Sequence, residues 1–270
     1  MSGSTWIDRR RFLAGSAGAM GAAVFGRLPL GLLAEQGAPA AARGWDAGSV
    51  RHLLPAANDS RFLVKVSFDR PLAGPVLRVG GAAATARMTD TAGEHWQFQA
   101  SGLAPGRRYT LSLADEAGAA LCEPWPLGTF PAPDAQPERF RLLFFTCAGG
   151  PGGSYAGIGE RSGFLPTAIR NRLLRRALAF APDAAVANGD HMYWDLHTWL
   201  GDGVGELSPS GRISNFDFSA SPFAASNEAA MKAAAGPQIV PVYGTDFRST
   251  PVFFLQDDHD HWENDAASDE

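Results

Sequence analysis

The sequence predicts a small β-sandwich followed by an α/β domain with an open parallel sheet. Three observations carry this prediction. Short runs of alternating apolar and polar residues, separated by Gly and Pro turns, fill residues 61–129. From Arg139 the pattern becomes apolar run, helix, apolar run, an order that implies parallel pairing through a right-handed crossover. Three apolar runs then end on residues with oxygen, nitrogen or sulfur ligand atoms: Thr146-Cys147, Gly189-Asp190-His191-Met192-Tyr193 and Asp257-Asp258-His259-Asp260. Open α/β sheets place their ligands at the carboxyl ends of strands, so these three ends mark one candidate site.

The chain has 270 residues, 45% hydrophobic and 19% charged, enough for a sizeable core. Its net charge is −5, and no basic stretch recurs after the N-terminus, which argues against nucleic acid as the main partner. With two cysteines there is no disulfide framework. Cys147 is read either as a metal ligand or as one half of a Cys122–Cys147 bridge, and its strand-end position favours the ligand.

Residues 1–42 are read as an export signal. Asp8-Arg9-Arg10-Arg11-Phe12-Leu13 precedes a weakly apolar run from Ala14 to Ala34, and Ala38-Pro39-Ala40-Ala41-Ala42 offers small residues at a cleavage site. Paired arginines before Phe-Leu match a twin-arginine signal, which implies the twin-arginine translocase as a partner and a periplasmic or secreted product. A membrane anchor is disfavoured, because Ser16, Arg27 and Pro29 interrupt the run.

The β-sandwich is expected over 45–130. Phe62, Val64, Val66 and Phe68 alternate with polar neighbours, and Val76–Val79, His95–Gln99 and Tyr109–Leu113 follow as further strands. Gly102-Leu103-Ala104-Pro105-Gly106-Arg107-Arg108-Tyr109 resembles the corner of fibronectin III/Ig-like domains, whose Tyr hydrogen-bonds backward. No catalytic constellation is expected here; His95 and Trp96 read as packing. Residues 131–138, rich in Pro, read as a linker to a second domain over 139–270.

In that domain a strand ends at Phe145. The glycines from Gly149 to Gly159 match neither a Walker A loop nor a dinucleotide fingerprint. Pro166–Phe180 reads as a helix with Ile169, Leu173, Leu174 and Leu178 on one face and Arg170, Arg172, Arg175 and Arg176 on a solvated face. A buried strand leads into Gly189-Asp190. Asn227–Ala235 reads as a helix stopped by Gly236-Pro237, Gln238–Tyr243 as an extended segment, and Ser249–Leu255 as the last strand.

The candidate ligands are Cys147, Asp190, Tyr193 and Asp258, with Asn264 in reserve. Carboxylates bridge cations well, and a Tyr phenolate favours a hard trivalent ion such as Fe³⁺. Two cations a few ångströms apart bind a phosphate ester, supply hydroxide and stabilise the leaving oxygen. His259 is placed to protonate or orient the ester. A nucleophilic role for Cys147, with His191 or His259 as base, is the weaker reading because no cysteine-hydrolase signature surrounds it.

Gly189-Asp190-x-x-Tyr193 has the spacing of purple-acid-phosphatase-like metallophosphoesterases. Together with Thr146-Cys147, Asp257-Asp258-His259-Asp260 and Asn264, it resembles the alkaline phosphatase D (PhoD-like) family. The resemblance implies a metallophosphoesterase-like α/β/β/α sandwich behind an N-terminal β-sandwich. It implies phosphomonoesterase or phosphodiesterase activity with iron and calcium. It also implies that Cys147, Asp190 and Tyr193 hold iron with Asp190 bridging. The second metal falls to Asp258 or Asn264, and the phosphate or leaving group to His259. The family completes its site with a later Asp-x-His pair, absent before Glu270, so the chain is expected to correspond to the N-terminal part of such an enzyme, incomplete in fold and of uncertain activity alone. The alternative function is an exported, non-catalytic binding protein with a vestigial metal domain.

Overall fold

Two prolines explain where the first sheets stop. In a computed structural model that describes residues 44–150, 153–154, 163–193, 217, 219–221 and 224–260, β1 (Val50–Ala57) and β8 (Trp125–Gly128) carry Pro55 and Pro126. Proline has no N–H to donate to a ladder, and both strands are sheet edges. The prolines also hid these strands from a reading based on alternation.

The other strands of this part are β2 (Arg61–Phe68), β3 (Val76–Val79), β4 (Ala82–Ala83), β5 (Thr85–Met88), β6 (His95–Ser101) and β7 (Arg108–Ala114). They form two four-stranded antiparallel sheets, ordered β1-β2-β6-β5 and β4-β3-β7-β8. One core joins the sheets: Leu53, Phe62, Val64 and Phe98 from the first meet Leu77, Leu111, Trp125 and Leu127 from the second, all essentially buried. At the corner before β7, the Ala104 N–H donates to Tyr109 Oη at 2.7 Å.

The second part contains β9 (Leu142–Phe145), the short pair β10 (Gly153–Ser154) and β11 (Gly163–Phe164), α1 (Thr167–Leu178), β12 (Ala184–Asn188), α2 (Ala225–Tyr243) and β13 (Val252–Leu255). β12 lies between β13 and β9 and is parallel to both. Ala185 and Ala187, fully buried, let the helices approach this central strand closely. Leu143, Phe145, Ala185, Ala187 and Val252 pack with Leu174 of α1 and with Val242, Tyr243 and Phe247 at the end of α2 and beyond. Leu142 and Phe144 point to the opposite face and stay exposed, Phe144 at 63%.

Two expectations fail here. Gly236-Pro237 does not stop a helix: α2 runs through Pro237 and Pro241 to Tyr243, so Gln238–Tyr243 is helical and not extended. Burial of Gln238, Val242 and Tyr243 outweighs the local cost of the prolines, both on the exposed side of the helix. Likewise Arg170 is not on a solvated face. It is buried in α1, whereas Leu173, expected inside, is 53% exposed.

Helix α2 is also tied to the sandwich. Lys232 Nζ lies 2.6 Å from Asp90 Oδ2, and Glu228 accepts the Thr91 N–H at 3.0 Å. The Leu53 N–H of β1 donates to Gly244 O just past the helix, at 2.9 Å. The described residues from Trp45 onward belong to one compact unit.

Candidate metal centre

Parallel pairing of β9, β12 and β13 brings their carboxyl ends side by side. The loops that follow pack backbone against backbone. Cys147 N–H donates to Gly189 O at 3.2 Å, and Gly149 N–H to Asp190 O at 3.0 Å. Gly149 has to be glycine: a Cβ there would lie 2.0 Å from His191 O. Gly189, at φ +81, would drive a Cβ to 2.3 Å from that of Asp257. Asp190 and Cys147 themselves have φ of 58° and 54°. Asp tolerates this left-handed region and Cys less so; such strain concentrates at functional sites.

These turns bring three of the sequence-derived ligands together. Asp190 Oδ2 accepts from Cys147 Sγ and from Tyr193 Oη, each at 3.2 Å. Asp190 and Tyr193 are buried, and Cys147 is exposed at the rim. Asp190 Oδ1 is buried with no hydrogen-bond partner among the described residues. Burial raises the Cys147 thiol pKa; the Thr146 hydroxyl pulls it back, and the Asp190 carboxylate raises it further. Burial, then the charge of Asp190, then that of Cys147 push the Tyr193 phenol far above its ordinary range. Carboxylate, thiol and phenol are thus crowded so that their anionic forms repel one another. A cation among them would reverse that logic and favour deprotonation. The unpaired oxygen and the donor chemistry therefore fit a metal ion. No disulfide competes, since Cys122 and Cys147 are both free and Cys122 is buried in the sandwich.

His259 stands next to this cluster, its ring centroid 4.4 Å from that of Tyr193. Asp258 is in a 3₁₀ turn, Asp258–Asp260, but its side chain is outside what the structure describes, as are Asn264, His261 and residues 1–42, on which the expected export signal falls. His191 is not a base for Cys147. It is buried, with Nδ1 3.1 Å from Tyr243 Oη and Nε2 3.0 Å from Leu255 O.

Three supporting residues escaped the sequence reading. Arg170 donates from Nη1 to the carbonyls of Ala148 at 2.8 Å, Gly149 and Gly150 at 2.9 Å, gripping the loop after Cys147. Gln238 Oε1 accepts the Tyr193 N–H at 2.9 Å and the Gly150 N–H at 3.2 Å, joining the first two loops. Asp260 accepts backbone N–H groups of the Asp190 loop. The one signal for Asp260 was its place in an acidic run; Arg170 and Gln238 gave none.

A second group of ligand types is Asp90, Glu94 and His95, whose ligand atoms lie within 4.8 Å of one another, close enough to hold an ion. The Lys232 ammonium already sits there, 3.6 Å from Glu94 and 3.0 Å from Glu228 besides its contact with Asp90. Burial alone would raise the Asp90 carboxyl. The Lys232 bond and the His95 backbone and side chain outweigh it and hold Asp90 at about 2. The chain thus supplies its own cation at this point.

Neither a protein-family model nor a curated protein matches the chain. Among solved structures it is similar to PhoD, at 13% identity and a TM-score of 0.43, over 82% of this chain and 40% of that one. It is also similar to a purple acid phosphatase from yellow lupin (Lupinus luteus) seeds, at 17% identity and a TM-score of 0.43, over 77% of this chain and 34% of that one. The chain therefore spans well under half the length of either.

Proposed function

We propose that this chain belongs to an exported metal-dependent phosphoesterase of the PhoD-like kind, acting on phosphate mono- or diesters with Fe³⁺ and calcium. In this reading residues 45–130 are a fibronectin III/Ig-like domain and 139–270 the first part of a metallophosphatase domain. The observation that carries the proposal is Asp190: one carboxylate oxygen meets Cys147 and Tyr193, and the other is buried and unpaired. A carboxylate can be shared between two cations, and Asp190 has a buried oxygen that no group among the described residues uses.

Cys147, Asp190 and Tyr193 would hold the ferric ion, and Asp258 or Asn264 would serve the calcium. Ions held there would supply Lewis acidity toward phosphoryl oxygens and acidify water. The chain's own residues do the rest. Asp190 would be shared between the two ions, and the buried Tyr193 keeps one flank of the site dry. His259, packed on Tyr193, holds a phosphoryl oxygen or gives a proton to the leaving alkoxide.

Metal analysis of the purified chain tests this directly. The expected result is about one iron per chain with a visible tyrosinate-to-iron band that Tyr193→Phe abolishes. Hydrolysis of p-nitrophenyl phosphate or its diester in the presence of calcium would define the reaction. A chain that binds no metal and hydrolyses neither ester would sink the proposal and leave the non-catalytic binding protein as the better reading.

A further inference from the structure

The acidic run Asp257-Asp258-His259-Asp260 invites reading every carboxylate in it as a ligand for a cation. Asp260 does something else. Its Oδ2 accepts the Asp190 N–H at 2.8 Å and the Asp257 N–H at 3.1 Å. Its Oδ1 accepts the His191 N–H at 2.8 Å and the Met192 N–H at 2.9 Å. A carboxylate has about four lone-pair sites, and four backbone donors fill them. Asp260 has no lone pair left for a metal.

The donors explain the geometry. Asp190, His191 and Met192 offer three successive N–H groups, the first from a residue at φ 58°. Successive N–H groups around a left-handed residue make a concavity that attracts an anion. Asp260 fills it from within the chain, 70 residues after Asp190. The Asp260 N–H in turn donates to Asp257 O at 3.2 Å, so the 3₁₀ turn is closed on itself as well as on the Asp190 loop.

We infer that Asp260 is a positioning residue: it locks Asp190 in its left-handed conformation and fixes the loop bearing Asp190 and Tyr193 to the loop bearing His259. Charge-assisted bonds of this kind are the strong ones, and here four act through one side chain. The clamp is a property of the chain itself; that it serves metal binding rests on the function proposed above.

Amide hydrogen exchange on the metal-free protein tests the clamp. In the wild type the amides of Asp190, His191 and Met192 exchange slowly; rapid exchange there overturns the inference without any variant. In Asp260→Asn, which keeps the volume but turns one acceptor into a donor, these three amides should exchange at least roughly tenfold faster, while Phe98 and Leu111 in the sandwich core are unchanged. Unchanged protection at 190–192 overturns the inference. Asp260→Ala is the second variant should the first not fold. Titration with ferric citrate, followed by the visible band, then tests the positioning role. Asp260→Asn should bind iron about 10–100-fold more weakly, with Cys147, Asp190 and Tyr193 all intact. Equal affinity in the two proteins overturns positioning. If the wild type binds no iron, the proposed function fails, and the exchange data decide the clamp alone.

Discussion

His52 shows how one side chain can set the acid limb of stability. It lies on β1 opposite Ser67, which in turn pairs with His95 across the sheet. Its Nε2 is buried and lacks a hydrogen-bond partner among the described residues. Burial, with His95 adding to it, pushes its pKa down to about 4. The unfolded chain binds a proton to this residue near pH 6.5, whereas the folded one stays neutral until about 4. Stability is therefore lost as pH falls through that window, by at most roughly 3 kcal/mol. Below pH 4 the loss from this residue stops. His52→Leu should flatten the change between pH 6.5 and 4 in urea titrations; an unaltered slope would place the effect elsewhere. That Cys147, Asp190 and Tyr193 meet was legible at this same level, because each follows an apolar run that had to be a strand. Arg170, Gln238 and Asp260 were not. The backbone groups that bring each of them to the candidate site lie between 20 and 88 residues away, and no local pattern encodes such a partner.

Helix α2 shows how local chemistry loses to burial. Gly236-Pro237 is a strong stop signal, and proline inside a helix removes a hydrogen bond and crowds the carbonyl four residues earlier. Yet the helix continues, because its last turns insert Val242 and Tyr243 between sheet and α1 and aim Gln238 at the Tyr193 loop. Asn171 Nδ2 donates to Pro241 O at 2.9 Å, capturing one carbonyl near the helix end from outside. The prolines thus lie within the helix turns that reach the candidate site. Pro237→Ala restores a donor on the exposed face. The interior proline costs about 3 kcal/mol, and its removal returns about 1 kcal/mol of unfolded-chain entropy, so the variant should gain about 2 kcal/mol. A rise of several degrees in Tm would check it; a fall would mean that the proline ring itself packs usefully. Gly149 and Gly189 belong to the opposite case, in which local sequence and tertiary packing agree.

The whole molecule is uneven in how it covers its sheets. The two sandwich sheets cover each other, and α1 and α2 cover one face of the parallel sheet. On its other face Leu142, Phe144 and Leu255 are exposed, at 49%, 63% and 51%. Among the described residues β9 is also an edge strand. An apolar edge of this kind favours self-association. Phe144→Lys should lower dye binding by exposed apolar surface and raise the concentration at which the protein stays monomeric, with no loss of Tm. Unchanged light scattering would show that this face is not what limits solubility. The ties between α2 and the sandwich lie on the other side of the balance: Lys232, Asp90 and Glu228 link parts of the chain more than a hundred residues apart.

By itself the sequence determined the kind of structure and which side chains stand at the strand ends. Period-two runs required antiparallel sheets around Phe62, Val64 and Val66. The strand–helix–strand order required parallel pairing of β9 with β12, and strand ends delivered Cys147, Asp190 and Tyr193. These are consequences of side-chain periodicity, which a linear chain displays openly. Only the tertiary structure decided that Pro55 and Pro126 sit in edge strands, that α2 passes through two prolines, that Arg170 is inside, and that Asp260 is spent on backbone donors. Each of those depends on which distant groups lose water together, and desolvation belongs to the packed molecule.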